Sequence, residues 1–260
     1  MKLLTAFLIL LFSSICSSQT SSISYQCELK LNIDHGENGL NTLYFSENES
    51  LYVYEDWPEQ NRQKVEGNII SFIRPDKEGM PVYTNLTKQY QTYKNRYLDH
   101  KGPWIFTEPL PTINWTITQK KKKFGTLNAF YATGTYGGRD YEVWFTPDIP
   151  TPLGPHRLNG LPGIILEAKS TDGLVSFTFA GYQPIDTSLA IIEPPKEGIK
   201  ISKRDFKKYC IQYLLKTEAN SPPEWNDTID DPHDDYEIEK NKWTIFSEYK
   251  KKRKLKNGGW

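Results

Sequence analysis

The sequence predicts a mainly β protein: a curved antiparallel sheet, a bowl or half-barrel, with one C-terminal amphipathic helix packed on it. Three observations carry that expectation. Many short segments alternate polar and apolar residues with the period of two that marks half-buried strands. Turn residues separate them, without the intervening helices that a parallel α/β sheet needs. A single helical periodicity occurs, late in the chain. With 37% hydrophobic and 13% aromatic residues, core formers are ample, and the aromatic share suits strands.

The chain opens with Lys2 ahead of an apolar run at 3–15 and the small polar Cys16-Ser17-Ser18, the pattern of a secretory signal peptide. The run is shorter than the roughly 20 residues that span a bilayer, and no transmembrane segment is expected later. Cleavage leaving Gln19 first is favoured over lipidation at Cys16, because Ile15 is poorly shaped for the position before a lipidated cysteine. The expected organisation is a signal peptide at 1–18, a β-rich domain at 19–219, and an acidic then basic extension at 220–260.

Strands are expected at 25–31, then at Leu43-Tyr44-Phe45-Ser46 and Leu51-Tyr52-Val53-Tyr54 as a hairpin. Further candidates are 68–73, 82–85, 104–107, 115–118, 127–136, 140–145, 164–168 and 174–180. Ser202 is placed to cap a helix in which Phe206, Tyr209, Cys210, Tyr213 and Leu214 recur at i, i+3, i+4, i+7 and i+8, one apolar stripe that should lie on the sheet. Beyond it, Ser221-Pro222-Pro223 stops the pattern, 230–235 is acidic and 250–254 is basic, as in solvated tails.

After signal removal Cys27 and Cys210 remain. In an oxidising compartment they can bridge a long loop, worth ~4 kcal/mol on the chain-entropy model, or stay as separate buried thiols; both readings stand. No Cys-x-x-Cys pair exists, which excludes thioredoxin-like chemistry.

The most unusual stretch is 146–163, rich in proline and glycine. Each proline sets φ and removes a backbone donor, so the stretch cannot join a sheet ladder yet loses little entropy when held in one shape. It should form a stiff connection across the rim of the sheet. Leu161-Pro162-Gly163-Ile164 has the residues of a type II turn.

Gly160-Leu161-Pro162-Gly163-Ile164-Ile165, preceded by Trp144-Phe145-Thr146-Pro147-Asp148-Ile149-Pro150 and Gly154-Pro155, resembles the hallmark of the GLPGLI family, exported proteins of Bacteroidetes. Gly138-Arg139, Pro103-Trp104, Asn114-Trp115 and Phe45-Ser46-Glu47-Asn48-Glu49-Ser50 extend the resemblance over 42–180, whereas 220–260 falls outside it. Ile164 stands where the family's name has leucine, a conservative swap for a buried strand. The chain is also similar to the bowl-like N-terminal module of a bacterial peptide:N-glycanase. The resemblance implies a β-bowl in the periplasm or at the outer-membrane surface. It implies no catalytic residue and no cofactor, and no glycanase activity is carried over.

The residues themselves agree with that silence. His-Glu-x-x-His, Gly-x-Ser-x-Gly, phosphate-loop and dinucleotide patterns are absent, and His35, His100, His156 and His233 have no metal-ligand spacing. A formal net charge of zero argues against a globally basic nucleic-acid binder. Asp140 and Glu142, two apart on a predicted strand, share a face and could act as paired carboxylates, although a solvated sheet face is the commoner arrangement. Trp104, Trp115, Tyr131, Tyr136, Tyr141 and Trp144 cluster around the motif. Among them Trp104, Trp115, Tyr136 and Trp144 are the candidates for lining a ligand site, against the commoner role of core aromatics. Asp227-Thr228-Ile229 fits an O-glycosylation acceptor or an unmodified loop. The expected function is a non-catalytic envelope binding or accessory protein whose partner is an envelope protein, peptide, glycan or lipid. The alternatives are a hydrolase with an unrecognised carboxylate site and a structural subunit of an envelope assembly.

Overall fold

The computed structural model describes residues 20–29, 37–54, 81–95, 103–185, 192–220, 249 and 251–252. The expected signal peptide, the Cys16 and Gln19 alternatives, the strand at 68–73, the Asp227-Thr228-Ile229 site and nearly all of 220–260 lie outside these residues.

Alternating side chains produce two antiparallel meanders. The first runs through β1 (Thr20–Leu29), β2 (Glu37–Phe45), β3 (Glu49–Tyr54), β4 (Val82–Asn85), β5 (Tyr90–Asn95) and β6 (Trp104–Pro109). The second runs through β7 (Trp115–Phe124), β8 (Leu127–Tyr136), β9 (Arg139–Thr146), β10 (Ile164–Ser170) and β11 (Val175–Ile185). β11 pairs antiparallel with β1, joining both meanders, and β12 (Ile199–Lys200) adds parallel to β6. The result is one 12-stranded sheet in the order β12-β6-β5-β4-β3-β2-β1-β11-β10-β9-β8-β7.

Connectivity alone requires this sheet to curl. β6 and β7 stand ten places apart in the order, about 48 Å in a flat sheet at ~4.8 Å per strand. Only residues 110–114 connect them, a reach of roughly 20 Å at full stretch. The two ends therefore bend toward one another without closing a barrel, which is the expected bowl.

The buried face alternates as the pleat demands. In β9, Arg139, Tyr141, Val143 and Phe145 are buried while Asp140 and Glu142 are exposed. Ile23, Tyr25 and Cys27 of β1 join Leu43, Tyr52, Val143 and Phe177 in one continuous core.

The helix α1 (Lys203–Asn220) begins as its sequence dictates. Asp205 N–H donates to Ser202 Oγ at 3.1 Å, and Phe206 N–H to the Ser202 carbonyl at 2.9 Å. Phe206 and Cys210 pack with Trp104 and Phe106 in a second cluster at the β6 end of the sheet. Cys27 lies in the main core and Cys210 in this second cluster, and no disulfide joins them. The helix docks on one end of the sheet while the sheet's middle is covered by other chain, so the two cysteines belong to separate packing units.

Several strand expectations change, among them β2, which begins at Glu37 rather than Leu43, and β12, which was not expected. β5 was not foreseen, because its buried positions Gln91, Thr92 and Lys94 are polar and show no hydrophobic alternation. β7 continues past 118 through four lysines to Phe124, and β1 starts at Thr20 rather than Tyr25.

Candidate functional site

The proline/glycine stretch does not cross the rim: it fills the inside of the bowl. Ile149, Leu153, Leu158 and Leu161 are buried in the same core as β1, β2 and β3. Three short turns, each closed across a proline, fold it there. Thr151 N–H donates to the Ile149 carbonyl at 2.8 Å, Leu153 N–H to Thr151 at 2.9 Å, and Gly163 N–H to Leu161 at 2.8 Å. The central residues are Pro150, Pro152 and Pro162, whose ring-set φ suits an inverse γ-turn.

The expected type II turn at 161–164 is thereby replaced. Ile164 N–H goes to the Ile149 carbonyl at 3.1 Å, which ties the two ends of the stretch together, and Gly163 takes φ +145° rather than about +80°. A Cβ on Gly163 would lie 2.1 Å from the Thr146 carbonyl oxygen, so glycine is demanded by close approach as much as by φ. Gly154 packs similarly, where a Cβ would meet Ile165 at 2.9 Å.

The tip, Pro155 to Leu158, reaches the far strands. Arg157 Nε donates to Gln91 Oε1 at 3.1 Å and its Nη2 to Glu108 Oε2 at 3.0 Å, with the guanidinium 4.2 Å from the Tyr93 ring centre. Glu108 Oε2 also accepts from Tyr93 Oη at 2.9 Å and pairs with Lys203 of the helix at 2.9 Å. Two residues on, the Asn159 carbonyl accepts the Trp115 indole N–H at 2.8 Å. Adjacent parts of one stretch thus grip β5 and β6 at one end of the sheet order and β7 at the other. His156 stands edge-on to Tyr52 at 6.2 Å, and Tyr25 Oη donates to the Ile165 carbonyl at 2.7 Å.

The opposite face of β8, β9, β10 and β11 carries a depression of about 180 Å³, lined by Tyr131, Glu142, Trp144, Glu167, Lys169 and Thr178 among others. Tyr131 and Trp144 meet edge to face at 5.3 Å. Lys122 Nζ pairs with Glu167 at 2.5 Å and lies 4.8 Å from the Trp144 ring centre; Lys120 Nζ lies 4.7 Å from that of Tyr131. Local desolvation, then a hydrogen bond to Glu142, push the Tyr131 phenol above its ordinary range. An aromatic pair beside charges of both signs can hold a polar group by stacking and hydrogen bonding together.

Residues 137–167 match the family described as "Protein of unknown function (Porph_ging)". The match takes in β9 and the whole interior stretch, so the resemblance drawn from the motifs is borne out. Among solved structures, PNGF-II, a peptide:N-glycanase, aligns with TM-score 0.51 and 14% identity, covering 75% of this chain and 33% of that one. A second crystal form of PNGF-II gives 0.48, again at 14% identity, over 75% and 34%. At such identity the likeness is one of fold, and this chain spans about a third of the length of PNGF-II. A LolA superfamily protein from Nitrosomonas europaea aligns at TM-score 0.31 with 6% identity, over 68% of this chain and 91% of its own, a score that shows no shared fold. No curated protein matches the chain.

Within the Porph_ging segment, Leu161, Ile164 and Ile165 are fully buried and Pro147, Pro150, Pro155, Gly160 and Pro162 shape the turns around them. The four aromatic candidates are not brought together. Trp104 is buried under Phe206 and Tyr209, Tyr136 belongs to the main core, and Trp115 clamps Asn159. Trp144 alone of the four lines the outer depression. Asp140 and Glu142 do share an exposed face, but Asp140 accepts from Thr135 Oγ1 at 2.6 Å and Glu142 is engaged with Tyr131. Of the histidines, only His156 lies among the described residues. Lys122 and Glu167 were missed; a lysine run inside a strand pattern is itself a signal of a sheet edge.

Proposed function

We propose that the protein is exported and acts as a non-catalytic binding or accessory protein of the cell envelope, with the Trp144 depression as its contact site. One observation carries this reading: the inner face is filled by the chain's own stretch, held at both ends of the sheet through Arg157 and Asn159. The concave side is thus spent on stability, and the aromatic surface left for a partner is the outer one. A volume of about 180 Å³ falls below the ~300 Å³ at which pockets begin to enclose a drug-sized ligand. It suits one protruding group of a larger partner, a peptide side chain or a single sugar, better than an acyl chain.

The test is native mass spectrometry of protein recovered from the envelope of its own cells, wild type beside Trp144→Ala. The expected result is a mature chain beginning at Gln19 that carries an added mass, with the Trp144→Ala chain bare and equally folded by circular dichroism. Bare wild-type chain, or an added mass that survives Trp144→Ala, refutes the contact site; a chain retained in the cytoplasm refutes export.

A further inference from the structure

The two ends of the sheet are finished differently. At one, β6 is covered by β12 and the start of α1. At the other, β7 is the terminal strand, ten residues long and, among the described residues, paired only with β8, with its register interrupted between Ile117 and Lys121. Thr116, Ile117, Gln119, Lys120, Lys121 and Lys123 are exposed, and Ile117 is 48% exposed, one of few large apolar side chains so placed. A bare terminal strand offers a row of backbone donors and acceptors to an incoming strand.

Charge decides what can use that row. Lys120, Lys121 and Lys122 fold back toward the rings of Tyr131, Phe130 and Trp144. Because alternate residues point to opposite faces, the four ammonium groups flank the edge on both sides. Among the described residues only Lys122 has an acidic partner, Glu167. Opposite the last three lysines on β8 stand Phe130, Ala129 and Asn128, which bring no negative charge. A second copy pairing here would set one lysine run against another, so the edge rejects its own kind. An extended acidic segment turns the same lysines into attraction while its backbone completes the ladder and Ile117 supplies an apolar contact.

We propose that β7 is a docking edge for an extended acidic segment of a partner protein, added to the sheet as a further strand beside Lys120, Lys121 and Lys123. This edge adjoins the Trp144 depression through Lys120 and Lys122, but Lys121 and Lys123 do not line that depression, so variants there test the edge while Trp144→Ala tests the depression.

The test uses the full chain and a blocked synthetic peptide alternating glutamate with valine or threonine, followed by amide hydrogen exchange and calorimetry. The peptide should slow exchange at the edge-facing amides of 121–123, where the register of β7 is regular, and bind more weakly as salt rises toward ~0.3 M. The double variant Lys121→Glu/Lys123→Glu should weaken binding about tenfold or more, while Lys121→Arg/Lys123→Arg keeps it. Both positions are exposed, so thermal melts should not change. A peptide N-methylated at alternate residues should not bind. Equal binding by the N-methylated peptide, no protection on β7, or self-association of the chain through β7 in sedimentation would each overturn the proposal.

Discussion

A methyl group on Gly163 would stand 2.1 Å from the carbonyl oxygen of Thr146. The obstacle is backbone at the end of β9, which cannot turn aside as a flexible side chain would, and the φ of +145° is strained for any L residue. Gly163→Ala is therefore expected to lose more than about 3 kcal/mol or to fail to fold. Gly173→Ala is the comparison: its φ is +74° with nothing within 4 Å of the added carbon, and its cost should be about 1 kcal/mol. Urea denaturation of both variants decides; equal midpoints would show that the close approach does not constrain the fold.

The grip of Arg157 on β5 and β6 should be measurable as a coupling. Arg157→Leu removes a nearly buried charge that donates to Gln91 and Glu108, and should cost about 2–3 kcal/mol. Glu108→Gln should cost less, because the amide still accepts from Tyr93. A double-mutant cycle is expected to return an interaction energy of about 1–2 kcal/mol. Strict additivity would mean that the tip of the interior stretch is held by packing alone.

Acid should weaken the fold through Asp172. Partial burial raises its carboxyl, but hydrogen bonds from Ser170 and the Leu174 N–H, with the Arg139 charge, outweigh that and hold it below the ordinary range. A carboxyl depressed in the folded state contributes its full stability above the unfolded value of about 4, and loses it as pH falls through the lower folded value. Arg139 is buried and Asp172 is its ion-pair partner. Asp172→Asn should thus cost about 2 kcal/mol at neutral pH, discounted for the partial exposure of Asp172, and the gap to wild type should close in acid. Denaturant midpoints from pH 7 downward test this; a gap that widens on acidification contradicts the pairing.

Much of the β architecture could be read directly from the chain, and the reasons are local. Leu43 to Ser46 and Leu51 to Tyr54 alternate cleanly and form the hairpin they suggest, with Ser46 N–H bonded to the Glu49 carbonyl at 2.9 Å. Ser202 capped the helix as expected. β5 escaped notice because Gln91 is buried by its partners rather than by its own hydrophobicity: Thr84 Oγ1 and Arg157 satisfy its amide. The same cause hid the network at Glu108, whose three partners come from β5, the interior stretch and α1.

The prolines at 150, 152 and 162 announced a stiff stretch, because each restricts its own φ whatever surrounds it. That Gly163 must be glycine also followed from local backbone preference, though the turn it serves is a different one. Where the stretch lies could not follow from such rules. Its place inside the bowl depends on nine strand spacings bending until β5 and β7 are both within reach of residues 157–159. The same long-range folding sent Trp104 under the helix, Trp115 onto Asn159 and Trp144 to the outer face. Neighbours in sequence specify turns and strands; which aromatic meets solvent is set by contacts between residues far apart in the chain.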